Sequence, residues 1–113
     1  MRRLALALCS ALAAPASAQE MINDYPTEAR ADYVFACMAT NGQTREALGR
    51  CSCSIDAIAA ILPYDDYVAA ETVLRMRLAP GERSAMFRGV ATTTAIVADL
   101  RRAQAEAEML CFG

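Results

Sequence analysis

Five cysteines and no histidine make up the reactive inventory of this chain, and the densest element among them is Cys51-Ser52-Cys53. Two thiols two residues apart can close a strained disulfide that oxidises other proteins, and soft thiolates helped by thioethers bind copper(I). Met38, Met76, Met86 and Met109 are the sulfur atoms that could help. Cys37 and Cys111 supply a competing chemistry, because each can consume one of the two thiols in a cross-link. The Cys-x-x-Cys of thioredoxin-like folds is absent, as is any βαβ pattern. The methionines recur at helical spacing among apolar neighbours, where filling a core is their usual role. Two structural disulfides are the expectation, and a Cys-x-Cys redox or copper(I)/zinc site is the alternative.

Other catalytic arrangements are thinner. Without histidine, Ser-His-Asp and Cys-His chemistry is impossible, and general acid–base work would fall to carboxylates. Asp65-Asp66 is the adjacent carboxylate pair, but consecutive helix positions diverge by about 100°, so the two do not converge on one atom and capping is the simpler role. Asp56 lies mid-helix opposite an apolar stripe, where it can pair with Arg30 or Arg75 or be solvated, and solvation is the simpler expectation. The hydroxyls of Thr92, Thr93 and Thr94 read as bonds to the carbonyls of the preceding turn. There is no glycine-rich phosphate loop and no metal-type carboxylate spacing. The chain is expected not to be an enzyme and to carry no cofactor and no metal.

The elements that would position these residues read as helices, since β-branched residues never alternate for long. Tyr25-Pro26-Thr27-Glu28 opens a first helix over 27–40, with Asn41-Gly42 as a left-handed cap and Tyr33, Val34, Cys37 and Met38 on its apolar face. Thr44 caps a second helix reaching Leu62, whose stripe is Leu48, Cys51, Ile55, Ile58 and Leu62, with a possible break at Gly49. A third helix runs from Asp65 to Leu78, capped by Asp65 or Asp66, with Tyr64, Tyr67, Val68, Leu74 and Leu78 apolar, and Pro80-Gly81 ends it. The last segment starts near Glu82, pauses at Gly89 and continues to Leu110. Its stripe is Met86, Val90, Thr93, Val97, Leu100, Ala103, Ala107 and Cys111. The fold class is all-α: a small four-helix bundle or orthogonal helical array closed by two disulfides, preceded by a cleaved signal peptide.

Helical rotation constrains the sulfur pairing. Positions two apart differ by about 200°, so Cys51 and Cys53 look to opposite sides and need different partners. In a hairpin turning at Asn41 to Thr44, Cys37–Cys51 with Cys53–Cys111 is favoured. Cys37–Cys53 with Cys51–Cys111 differs by one helical offset and would follow if the second helix began after Gly49.

The signal reading rests on Met1-Arg2-Arg3, an apolar run from Leu4 to Ala14 that includes Cys9, and Ala16-Ser17-Ala18 before Gln19. The run is about half of the roughly 20 residues that cross a bilayer. Residues 1–18 are expected to be removed, leaving 19–113 as one disulfide-bonded domain, periplasmic or secreted. Removal takes Arg2 and Arg3, so 11 basic against 13 acidic residues becomes 9 against 13, a net charge of −4. Such a surface repels nucleic acid and anionic lipid, so neither nucleic acid nor membrane is an expected partner after cleavage. Every cation is arginine and alanine is abundant, as in a high-GC bacterial genome.

The order of Cys37, a Cys-x-Cys at Cys51 and Cys53, tyrosines after the second helix and a late Cys111 looks like that of many small exported bacterial proteins, and the general architecture, in layout alone, is similar to periplasmic helical chaperones of the acid-stress type, which usually hold a single bridge, and to disulfide-closed immunity proteins. No functional residue carries over from that likeness. The functional expectation is a small exported helical protein that binds another protein, with a partner patch at Tyr64, Tyr67, Met86 and Phe87.

Overall fold

The computed structural model describes residues 23–78, 81 and 90–113. The signal peptide, the start of the last segment, and Met86 and Phe87 lie outside the described residues. Those described form four helices and no strand: α1 (Thr27–Asn41), α2 (Arg45–Ile61), α3 (Tyr64–Leu78) and α4 (Ala91–Cys111). No described helix is long and apolar enough to cross a membrane. Helix α4 takes α2 and α3 against itself, and α1 lies on α2.

Local chemistry sets the boundaries. Thr44 caps α2 through its hydroxyl, which accepts from the Ala47 N–H at 3.0 Å, so one of the unsatisfied first-turn donors is met. Gly42 closes α1 at φ 109° and ψ 156°, giving its N–H to the Met38 carbonyl at 2.9 Å. The positive φ is what glycine supplies, but the extended ψ makes the cap something other than the expected left-handed turn. Helix α3 starts one residue earlier than expected and is not capped by Asp65 or Asp66, which sit within its first turn. Its first amide instead donates to Asp24 Oδ2 at 3.1 Å, from 40 residues upstream.

The core is built from Ile55, Ile58 and Leu62 at the end of α2, Ala70 of α3, Leu100, Ala103 and Ala107 of α4, and Tyr25 ahead of α1. Burying each large aliphatic side chain is worth about 1.5–3 kcal/mol, and the alanines let α4 approach its neighbours closely. The expected stripe of α2 holds from Cys51 to Leu62 but begins at Ala47, because Leu48 stands 39% exposed. Gly49 causes no break; α2 runs continuously through it. On α3 the expectation fails at two positions: Val68 and Leu78 are exposed, while Ala70 and Val73 are buried. On α4, Val97, Leu100, Ala103 and Ala107 face inward as expected, with Arg101, Arg102, Glu106 and Glu108 in water, whereas Val90 of the same expected stripe is exposed ahead of the first turn. Thr93 and Thr94 donate their hydroxyls to the Val90 carbonyl at 2.8 and 3.1 Å.

Helix α1 differs from the others in burying no residue completely. Tyr33 and Val34 are half-buried against the core, and the Tyr33 and Ser54 hydroxyls share a 2.8 Å hydrogen bond to α2. The Cys37–Cys51 bond adds a covalent attachment to α2.

Candidate functional site

The four described cysteines are paired in two disulfides. Cys37 of α1 is bonded to Cys51 of α2, and Cys53 of α2 to Cys111 at the end of α4, with Cα atoms 5.8 Å apart in both pairs. The pairing follows the rotation argument: Cys51 is wholly buried toward α1, while Cys53 is exposed on the other side of the same helix. Each thiol of the Cys-x-Cys is engaged with a different partner. Met38 lies on the α1/α2 flank, and Met76 and Met109 are exposed. Among the described residues no group of three or more cysteine, aspartate or glutamate side chains is placed to hold a metal ion.

Tyr64 and Tyr67, singled out from the sequence, come together on the first turn of α3 with ring centroids 6.3 Å apart. Both rest on Tyr25, whose ring lies 5.1 Å from each. Tyr25 is 2% exposed and was not among the residues that periodicity could find, because it precedes a proline in a segment with no helical pattern. Its hydroxyl donates to the Leu62 carbonyl at 2.8 Å, and its amide donates to Asn23 Oδ1 at 2.9 Å. The segment 23–25 therefore straps the α2–α3 joint from below and supports both tyrosines. Met86 and Phe87, the other half of the expected patch, lie outside the described residues.

The half-buried faces of Tyr64 and Tyr67 open into a groove of about 600 Å³ between α1 and α3. Glu28, Asp32 and Glu71 line it against a single cation, Arg75. Burial is the main reason the Tyr67 hydroxyl is pushed up to about 12, and the Glu71 carboxylate beside it adds to the effect. Tyr25 is pushed still higher by burial, with Tyr67 and Asp24 reinforcing it. Both phenols thus stay protonated across physiological pH and keep an O–H to donate.

A second groove of about 530 Å³ flanks α1 on its other side, toward α2, and is mostly apolar. Phe35, 77% exposed, and Leu48 stand at it with Val34 and Met38. Its charges are Arg30 and Asp56, which make no ion pair among the described residues. Neither Phe35 nor the acidic residues of the first groove were singled out from the sequence. A helix with polar residues on both sides of a narrow apolar strip gives no signal for which side remains uncovered. In comparisons with known proteins, no family model, no curated protein and no solved structure matches this chain.

Proposed function

We propose that the chain is an exported, non-enzymatic helical protein that binds another protein through the groove between α1 and α3. Two disulfides fit an oxidising compartment outside the cytosol, and the export signal read in residues 1–18 supports the periplasm or the extracellular medium. The observation that carries the binding reading is the groove itself, where two tyrosines stand beside three carboxylates and one arginine on a covalently closed scaffold. Tyrosine gives contact area with little side-chain entropy to lose and a hydroxyl for orientation, which suits it to interface centres. The carboxylates favour a partner segment that presents arginine or lysine and repel acidic competitors. Preformed support from Tyr25 lowers the ordering required on binding.

Isolation of the oxidised protein from periplasmic extract, beside a Glu28→Lys/Asp32→Lys variant, tests this. Both substituted positions are exposed, and because Glu28 complements the dipole in the first turn of α1, circular dichroism of the variant must show the parent's helicity. The expected result is a stoichiometric protein partner that is retained by the parent, weakened by added salt and lost by the variant. Recovery of no other protein by the parent, or of the same protein equally by both, overturns the reading.

A further inference from the structure

The α1/α2 flank differs in character from the acidic groove. Phe35 projects from α1 with 77% of its surface in water, and Val34, Met38 and Leu48 extend the apolar area across to α2. Isolated exposed apolar residues are ordinary, but a continuous patch bounded by charge marks a contact surface. We infer that this face is where two copies of the chain meet about a two-fold axis.

Charge selects a second copy as the occupant. A two-fold interface brings one patch against itself, so the patch must be complementary to itself. This one carries a cation and an anion, Arg30 and Asp56, and no net charge. Among the described residues Asp56 has no ion-pair partner, and Arg30 donates from Nη2 to Thr27 Oγ1 at 3.4 Å and pairs with no carboxylate. Two-fold symmetry lets Arg30 of one copy meet Asp56 of the other, twice. The groove on the opposite flank, with Glu28, Asp32 and Glu71 against Arg75, would bring like charges together in the same operation. A net-acidic protein associates with itself most easily where its surface is locally neutral. The Cys37–Cys51 bond joins the two helices that form the face, so little order has to be gained on association.

An interface made by one helix pair lies at the small end of specific interface sizes, so association is read over a concentration series. Sedimentation velocity of the oxidised protein is expected to show a monomer–dimer equilibrium. Asp56→Arg and Arg30→Asp should each weaken it by about tenfold or more, since each places like charges opposite one another. The double variant Arg30→Asp/Asp56→Arg should restore it, with circular dichroism confirming equal helicity throughout. Phe35→Ser should weaken the dimer without a change of sign. Glu28→Lys/Asp32→Lys should leave it unchanged, so failure here is distinct from failure of the partner-binding reading. A monomer at every concentration, a dimer indifferent to both single reversals, or a double variant that stays monomeric overturns the inference.

Discussion

Tyr25 ties three parts of the molecule together from a position that no periodic pattern announces. Its phenol answers the Leu62 carbonyl, one of the acceptors that the end of α2 leaves without an intrahelical donor, while its ring supports Tyr64 and Tyr67. Below pH 10 the phenol is protonated in both folded and unfolded chains and contributes its full stability. Above the ordinary value of 10 the unfolded chain loses the proton while the folded one retains it, so stability must fall as pH rises. The slope is about 1.4 kcal/mol per pH unit for one such group. Tyr25→Phe is expected to lower stability by about 1 kcal/mol at neutral pH, through the lost hydrogen bond, and to make the alkaline decline shallower. Denaturant unfolding at a series of pH values from neutral to alkaline measures both, and an unchanged slope would contradict the assignment. The neighbouring aspartate follows the same logic: Asp24 was invisible as a cap because the amide it serves is 40 residues away.

At the scale of the helix, sequence pattern and structure agree where apolar side chains are large and regularly spaced. They part where small residues take the contacts. Ile55, Ile58 and Leu100 are buried as their spacing requires. Leu48 yields its place to Ala47, and in α3 Ala70 and Val73 face the core while Val68 and Leu78 do not. Close helix approach rewards small residues, and hydrophobicity alone does not rank them first. Gly49 illustrates the converse. Its flexibility suggested a break, yet capping by Thr44 and the cross-link at Cys51 hold α2 continuous on both sides of it. A methyl group at Gly49 would meet nothing within 4 Å. Gly49→Ala is therefore expected to raise stability by about 0.5–1 kcal/mol, through helix propensity and a less flexible unfolded chain, with no change in fold. A rise in thermal midpoint with an unchanged circular dichroism spectrum checks it; a fall would place an unseen contact there.

Across the whole molecule, the cross-links divide the labour unequally. The Cys37–Cys51 bond closes 14 residues and the Cys53–Cys111 bond closes 58, so the chain-entropy account assigns about 3 kcal/mol to the first and about 4 kcal/mol to the second. Their structural roles run the other way. Helix α1 buries no residue completely, so removing its bond should loosen α1 alone, while α2, α3 and α4 keep their shared core. In Cys37→Ala/Cys51→Ala, which adds no polar group at the buried Cys51 position, hydrogen exchange is expected to accelerate first throughout α1 with the α4 amides still protected; uniform acceleration would show that α1 belongs to the cooperative core. For the sulfurs, rotation by two residues excluded a Cys51–Cys53 bond in advance, while the choice between the two remaining pairings turned on where α2 begins, which the cap at Thr44 settles. The grooves on either side of α1 were not readable, since which helix faces stay uncovered depends on tertiary packing. One consequence follows from the order of the bonds. The two covalent rings follow one another along the backbone, with only Ser52 between them, and share no atoms. Neither ring has to be threaded through the other, so oxidation can finish them in either sequence and arrive at the same topology.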